Sequence, residues 1–226
     1  QPGIAPMTDI SSSPSDTRQP LTHALVVAEA MATADIDGIS GLSMRKLAQR
    51  LRVEAMSLYN HVRNKDALLS AMVEGVAAGF APPRPGAPWK AELHRRAITA
   101  HHQLCRHPWA SALLVSRPNM GPVMLDYIEA TLDCLVRAGY SLTDADQAWI
   151  TMDSHIYGFT LQKLSFPLAP EDYAEAAAAN IDRIPQNRFP HLHGLAELVA
   201  RRQYDGLHDF NHGLGLILDG LEAQLL

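Results

Sequence analysis

The chain has 226 residues, a formal net charge of −5 and a hydrophobic fraction of 47%. These values exclude a fibrous or disordered protein and predict a folded one, of one domain or two, with a substantial core. No run of about 18 apolar residues is present and no charged leader precedes an apolar stretch, so we expect neither a membrane protein nor an exported one. Cys105 and Cys134 offer neither a disulfide framework nor metal-ligand spacing, which favours a reducing cytoplasm.

The N-terminal part of the chain predicts four helices. Apolar residues recur at helical spacing after Pro20, which suits a first helical turn, and Gly38 within "DIDGIS" is expected to break that helix. Ser43 is predicted to cap a short second helix. A third short helix is expected over residues 55–61. Asn64 is predicted to cap a longer fourth one.

A linker and a second set of helices follow. Residues 81–88, "APPRPGAP", contain four prolines that could not lie inside a helix, so they predict a domain boundary. Beyond it, apolar spacing predicts helices near residues 89–106, 109–116, 120–138, 144–164, 171–183, 191–204 and 207–225. Since no alternating apolar pattern of convincing length occurs, the predicted fold class is all-α.

Basic residues concentrate in residues 42–66. This stretch holds six Lys and Arg residues against Glu54 and Asp66, a net charge of about +4, which leaves the rest of the chain near −9. The overall acidity argues against a protein that coats nucleic acid with its whole surface, but it allows one basic face. A solvated polar helix surface is the alternative interpretation of such a cluster.

Two short helices joined by a tight turn fall within this stretch, with apolar residues for a small core between the charges. That is the helix-turn-helix arrangement. The second helix presents outward Ala55, Met56, Ser57, Tyr59 and Asn60. Hydroxyls and an amide suit base edges and phosphates, and the apolar side chains suit thymine methyl groups. Arg45, at the start of the first helix, is placed to contact a guanine, for roughly 1–3 kcal/mol of discrimination.

The stretch "MRKLAQRLRVEAMSLYNHVRNKDALL" resembles the DNA-binding domain of the TetR family of bacterial repressors, in particular the tetracycline-repressor branch. The resemblance covers roughly residues 20–80 and implies a three-helix DNA-binding head whose residues 55–61 enter the major groove. The positions at which the family reads bases are Arg45, Ala55, Met56 and Asn60. Those at which it holds phosphates or supports the recognition helix are Ser43, Ser57, Tyr59, His61 and Lys65. Met44 also lies on the DNA side.

Two positions leave alternatives open. Arg52 stands where the family commonly has glycine, so either it adopts a positive φ in spite of its Cβ or the turn differs, and an extra phosphate contact is open to it. His61 either contacts DNA or packs against the support helix.

Residues 89–226 contain none of the usual catalytic signatures, so we expect no enzyme and no cofactor. The nearest metal-like pattern is His208 and His212, which are spaced i,i+4 on one helix face. A third ligand would have to come from elsewhere, such as His191 or His193. A small helical metal-binding protein or enzyme that uses these histidines is the alternative function.

The last predicted helix carries an apolar stripe that suits either the core of one chain or a subunit interface. The candidate interface residues are Leu207, Phe210, Leu214, Ile217 and Leu221. Gly213, Gly215 and Gly220 are expected to permit the close approach of another backbone. The segment "DFNHGLGLILDGLEAQL" resembles the dimerisation end of tetracycline-repressor-like domains, which implies a homodimer. Two symmetry-related recognition helices read a palindrome with half-sites about 34–36 Å apart.

The intervening helices are expected to enclose a cavity for a small organic effector. The candidates are Arg96, Ala100, Leu104, Leu113, Leu114, Ile128, Thr131, Leu132, Trp149, Met152, Asp153, Ile156 and Tyr157. Such stripes are also typical of plain core, but polar members can orient a ligand inside an apolar cavity. By resemblance, the metal-chelating histidine of the tetracycline repressor corresponds to Leu113 or Leu114 and its partner-subunit glutamate to Gln162. A magnesium–tetracycline effector is therefore not expected.

The sequence thus predicts four segments: a flexible tail over residues 1–18 that is rich in Pro, Ser and Thr, a helix-turn-helix DNA-binding domain over 19–80, a linker over 81–88, and a ligand-binding and dimerisation domain over 89–226. The predicted function is a ligand-responsive transcriptional repressor that a small organic effector releases from a palindromic operator. An activator of the same build fits the sequence equally well.

Overall fold

The computed structural model describes residues 20–206 and 209–225. The tail predicted over residues 1–18, together with Leu207 and His208, lies outside the described residues. Within those two ranges the chain forms α-helices and two short 3₁₀ turns and contains no β-strand, which confirms the all-α prediction. In the same ranges, no helix combines the length and the apolarity needed to cross a bilayer.

Four helices form an N-terminal unit, which we call the head. They are α1 (His23–Gly41), α2 (Met44–Leu51), α3 (Ala55–Leu58) and α4 (Lys65–Ala77). Helix α1 packs against α2 and α4, because each carries an apolar face that leaves water on packing. The buried side chains of the head include Val26, Ala30, Leu47, Leu58, Leu68 and Met72. This core gives the short helices α2 and α3 a fixed base.

The first helix differs from the prediction at its start and agrees with it at Gly38. Thr22 Oγ1 accepts a hydrogen bond from Leu25 N at 3.2 Å, so α1 begins at His23 rather than in the turn after Pro20. Gly38 has φ 69° and ψ 172°, values that no α-helix contains. The predicted interruption at this glycine is therefore confirmed.

The remaining helices form the body. They are α5 (Trp89–Arg106), α6 (Ala110–Ser116), α7 (Pro122–Ala138), α8 (Leu142–Ser165), α9 (Tyr173–Asn180), α10 (Pro190–Ala200) and α11 (Phe210–Gln224). Helix α8 packs against α5, α6, α7 and α11 and so runs through the centre of the body. The helix predicted over 171–183 is shorter, because α9 is flanked by the 3₁₀ turns Pro170–Asp172 and Ile181–Arg183.

The linker predicted over residues 81–88 is anchored to α5. The carboxylate of Glu92, which is buried, accepts hydrogen bonds from Arg84 N at 2.8 Å and from the guanidinium groups of Arg84 and Arg95, each at 2.6 Å. These hydrogen bonds, from Arg84 above all, hold the pKa of the Glu92 carboxyl well below its ordinary range. Charged hydrogen bonds to Glu92 therefore fix the segment that connects the head to the body.

Candidate nucleic-acid interface and effector site

Capping residues shape the turn between α2 and α3. Ser43 Oγ accepts a hydrogen bond from Lys46 N at 3.2 Å and begins α2, as predicted. At the other end, Arg52 is left-handed (φ 56°, ψ 43°), and its N–H donates to Gln49 O at 3.2 Å. Arg52 therefore adopts a positive φ in spite of its Cβ, which decides between the two alternatives for this turn.

Helix α3 presents the residues expected to read DNA. It ends at Leu58 and passes into a turn, so the helix predicted up to residue 61 is too long. Bonds to the third residue back, such as His61 N to Leu58 O at 2.9 Å, tighten the chain here. Leu58 is completely buried and anchors the helix, whereas Met56 is 75% and Tyr59 44% exposed. The result is a short helix with a buried anchor and an exposed Met56, followed directly by an exposed Tyr59.

The predicted DNA-contact residues divide by exposure and by role. The exposed ones are Ser43, Arg45, Met56, Tyr59, Asn60 and Lys65, and the half-buried ones are Met44, Ala55, Ser57 and His61. Two of the exposed ones also serve the fold. Ser43 caps α2, and Lys65 Nζ donates a hydrogen bond to Leu42 O at 2.7 Å, which ties the start of α4 to the start of α2. Contact with DNA stays a prediction for every one of them.

Some cations of residues 42–66 are engaged within the head. Lys46 Nζ pairs with Asp37 Oδ2 at 2.8 Å, and Arg50 pairs with Glu29 of α1. These pairs attach α2 to its support helix. Lys46 and Arg50 therefore stabilise the head itself.

Three arginines of the same stretch face outward. Arg45, Arg52 and Arg63 are exposed, and no hydrogen bond or ion pair within residues 20–206 and 209–225 engages their guanidinium groups. Sequence reasoning did not single out Arg63, because a lone arginine in a turn has no distinguishing pattern. The structure adds it to the candidate interface, since an unpaired guanidinium beside α3 suits a phosphate.

The head is joined to the body by polar contacts. Asp35 of α1 accepts a hydrogen bond from Trp109 Nε1 at 2.6 Å, and its carboxylate lies 2.9 Å from His107 Nδ1. Arg117 Nη2 contacts Asp66 Oδ1 at 2.5 Å, between the end of α6 and the start of α4. These contacts connect the body to α1 and α4 of the head, so a movement of the body can be transmitted to the head.

A charged cluster is buried where α5, α7 and α8 meet. Arg96 is fully buried, its Nη2 lies 2.8 Å from Asp153 Oδ1, and its Nε donates to Thr131 Oγ1 at 2.9 Å. Asp153 Oδ2 also accepts hydrogen bonds from Trp149 Nε1 at 2.8 Å and from the Tyr157 hydroxyl at 3.0 Å. The sequence predicted all five as effector contacts, and the structure brings them together.

The cluster leaves polar atoms unsatisfied. Arg96 Nη1 and Nη2, Asp153 Oδ1 and the Tyr127 hydroxyl are buried without an aligned hydrogen-bond partner. The Tyr127 ring lies 4.5 Å from the Arg96 guanidinium carbon. Burial lowers the pKa of Arg96, but the charge and hydrogen bond of Asp153 and the charges of Tyr127 and Tyr157 together outweigh it, so the net shift is upward. Burial raises the pKa of Tyr127. Both groups therefore stay protonated as donors that lack full partners, at a cost of roughly 1–3 kcal/mol each.

The apolar effector candidates belong to the core of the body. Those almost completely buried are Ala100, Leu104, Leu114, Met152 and Ile156, and those partly buried are Leu113, Ile128 and Leu132. None of the candidates lines the two larger surface grooves, of about 440 and 610 Å³. Their role as ligand contacts stays a prediction.

The apolar stripe of α11 faces inward in a single chain. Phe210, Leu214 and Leu221 are buried in the body, and Ile217 is partly buried. Leu207 lies outside the described residues. The core interpretation therefore holds for these residues within one chain, and their part in a subunit interface stays a prediction.

One glycine of α11 acts differently from the expectation. A Cβ on Gly213 would lie 2.5 Å from His155 Cε1, so this glycine admits a side chain of α8 rather than another subunit's backbone. At Gly215 and Gly220 a Cβ would meet no described atom within 4 Å. The close approach at Gly213 is thus to a side chain of the same chain, and for Gly215 and Gly220 the approach of another backbone stays a prediction.

The histidines form no metal centre among the described residues. Within residues 20–206 and 209–225, no group of three or more His, Cys, Asp or Glu side chains is placed to hold a metal ion. His212 is exposed, and its predicted companion His208 lies outside the described ranges. The metal-binding alternative therefore finds no support in the described part of the chain.

Comparison with known proteins agrees with this geometry. The sequence profile of bacterial regulatory proteins of the tetR family matches residues 26–72, and that of the tetracyclin repressor-like C-terminal domain matches residues 82–225. The chain is 34% identical to the tetracycline repressor protein class D of Escherichia coli over 211 residues, which cover 91% of each chain. It is 30% identical to the HTH-type transcriptional repressor DrrR1 of Streptomyces coeruleorubidus, over 95% of this chain and 83% of that relative.

The fold has solved counterparts. The crystal structure of the TetR family protein ActR of Streptomyces coelicolor, in complex with (S)-DNPA, superposes with a TM-score of 0.77 at 26% identity. The match covers 91% of this chain and 99% of that one. Head and body therefore occur together in a solved structure, which holds (S)-DNPA.

Proposed function

The chain belongs to the TetR family of bacterial regulatory proteins, and from that premise we propose that it is a homodimeric, ligand-responsive repressor of transcription. Its head binds a palindromic operator, and its body binds a small organic effector that releases the operator. The proposal contains no catalytic step, and it places the protein in the cytoplasm with the chromosomal DNA.

The observation that carries the proposal is the set of exposed, unengaged donors on α2, in the turn between α2 and α3, and in the turn after α3. Arg45 contacts a base edge, while Arg52, Arg63 and the Tyr59 hydroxyl contact phosphates. The engaged residues Ser43 and Lys65, together with buried Leu58, hold this face in position. One such face is small, so two copies on a twofold axis are needed for a specific site.

The proposed subunit interface is the outer face of α8 and α11. Leu216 of α11 is 64% exposed and Ile150 of α8 is 48% exposed, although both helices pack side by side. Their buried sides, with Leu214 in the core, leave this outer face free to form a four-helix bundle with a second copy. We therefore propose that exposed residues such as Leu216 and Ile150 form the dimer contacts, rather than the buried residues of the α11 stripe.

The proposed effector site is the buried cluster around Arg96. Arg96 Nη1 and the Tyr127 hydroxyl are donors without a partner, and apolar core surrounds them, so they suit an organic molecule with a few acceptor oxygens. Helix α7 carries Thr131 of this cluster and also contacts α4 of the head. Effector binding shifts α7 and hence α4, and a coupling free energy of about 1–3 kcal/mol weakens operator binding about 5- to 150-fold.

The test uses an operator selected by the wild-type protein from random duplex DNA and measured by fluorescence anisotropy. Arg45→Ala is expected to weaken binding about tenfold or more, and Tyr59→Phe about fivefold. Arg137→Ala, which removes a cation on the body, is the matched control and is expected to bind like wild type. Failure to select any palindrome, or equal binding by all three variants, contradicts the proposal.

A second measurement separates repression from activation. A reporter gene placed behind the selected operator should become more active when the protein is deleted, since a repressor blocks transcription. Lower reporter activity on deletion would instead identify an activator of the same build.

A further inference from the structure

A groove of about 610 Å³ lies at the C-terminal ends of α5 and α8, beside Gly79 that follows α4. It is separate from the cluster around Arg96, because none of the effector candidates lines it. Its polar lining is Thr99, His101, His102, Gln103, Arg106 and Lys163. No carboxylate occurs among the residues that line it.

The two cations in this groove differ from the others of the same helices. Helices α5 to α8 carry six Lys and Arg residues. Four of them pair with carboxylates: Lys90, Arg95, Arg96 and Arg137. Arg106 and Lys163 have no such partner within the described ranges, and both line the same groove.

A shortage of acidic residues does not explain the unpaired cations. Residues 89–226 hold eleven Lys and Arg against sixteen Asp and Glu. Arg106 and Lys163 do lie in the last turns of α5 and α8, where a cation is favoured by the helix dipole. That preference accounts for each residue separately, but not for their meeting in one groove without a carboxylate.

Further donors lie beside the two cations. His102 is exposed, and the Gln103 amide lies against Gly79, whose missing Cβ would fall 2.6 Å from Gln103 Cδ. His101 is already bonded, since its Nδ1 lies 2.7 Å from Thr160 Oγ1. Burial first, and then the positive charge of Lys163, lowers the pKa of His101 to about 4. The groove is thus lined by two cations and no carboxylate, in a body whose formal charge is negative.

We propose that this groove is a second ligand site, one that binds a small anion bearing a carboxylate or phosphate group between Arg106 and Lys163. The Arg106 guanidinium offers two parallel N–H donors to such a group, and the Lys163 ammonium adds a point charge. His102 and Gln103 add further donors beside them. The site adds to the repressor function and does not depend on it, since anion binding is measured without DNA or effector.

The test titrates the full chain with inorganic phosphate and, separately, with citrate, in isothermal calorimetry at ionic strength kept constant with sodium chloride. Wild type is expected to bind at least one of them at a single site per chain. Arg106→Gln/Lys163→Gln should weaken that binding about tenfold or more, equivalent to about 1.4 kcal/mol. The better of the two anions identifies phosphate or carboxylate as the preferred group.

The control is Arg183→Gln/Arg188→Gln, which removes the same charge from an exposed part of the body away from the groove. It is expected to bind the anion like wild type. In addition, the imidazole C–H signals of His102 in wild type should shift on addition of the anion, a readout that requires no variant. Absence of binding in wild type, equal loss in both double variants, or intact anion affinity in Arg106→Gln/Lys163→Gln overturns the proposal.

Discussion

Glu74, near the end of α4, accepts a hydrogen bond from the backbone N–H of Val123, with 2.9 Å between Oε2 and N. Its other carboxylate oxygen accepts from Met124 N at 3.2 Å. These N–H groups belong to the first turn of α7, whose N-cap residue Gly121 has no side chain to satisfy them. A side chain of the head therefore caps a helix of the body.

We expect Glu74→Ala to lower the free energy of unfolding by about 1–2 kcal/mol, because it removes a cap and a charge that complements the dipole of α7. Glu74→Gln keeps an acceptor and should cost less. Urea unfolding followed by circular dichroism measures both. Glu54→Ala is the control, since Glu54 precedes α3 without a side-chain capping bond. Equal stability of Glu74→Ala and Glu54→Ala would show that the cap has no energetic weight.

Arg52→Gly should separate stability from DNA binding. The left-handed conformation of Arg52 (φ 56°) strains a residue with a Cβ, so glycine is expected to raise the free energy of unfolding by about 0.5–1 kcal/mol. The same change removes an unpaired cation from the candidate interface and should weaken operator binding. Thermal unfolding and fluorescence anisotropy measure the two effects. Arg52→Lys, which keeps the charge and the strain, is the control and should change neither greatly.

Some features of the head could be predicted from single residues. Ser43 and Asn64 cap their helices as expected, because their side chains each accept from an N–H three residues later. The glycine at residue 38 interrupts α1 for an equally local reason. The end of α3 could not be predicted, because "MSLYNH" continues to favour a helix while the packing of Leu58 tightens the chain into a turn.

The body shows the limit of sequence reasoning more clearly. Arg96 and Asp153 were both predicted as polar residues facing inward, and their pairing across 57 positions depends on how α5 and α8 pack. The stripe of α11 is consistent with core and with interface, and only the burial of Leu214 and the packing of α11 against α5 and α8 show that it faces inward. The capping role of Glu74 could not be predicted from the sequence, because its partners are backbone groups of a distant helix.

Asp153 should be essential for folding stability, since it compensates the buried charge of Arg96. Asp153→Ala is expected to lower the free energy of unfolding by about 3–5 kcal/mol, because a fully buried guanidinium loses its counter-charge. The double change Arg96→Met/Asp153→Leu should recover most of that loss, since neither charge remains. Urea unfolding tests both variants. A double variant as unstable as Asp153→Ala would show that the ion pair is not the cause.

His101 should make stability depend on pH. It is buried, stacks on Phe210 with 4.2 Å between ring centroids, and has its pKa lowered to about 4, chiefly by burial. An unfolded histidine has a pKa of about 6.5, so between these values the unfolded chain binds more protons and stability falls as the pH falls.

The measurement compares urea unfolding at pH 7 and pH 5. His101→Gln keeps a donor for Thr160 and does not titrate, so its loss of stability between these pH values should be about 2 kcal/mol smaller than that of wild type. His102→Gln, an exposed neighbour on α5, is the control and should follow wild type. If His101→Gln loses as much stability as wild type over this interval, His101 is not the group whose protonation opposes folding.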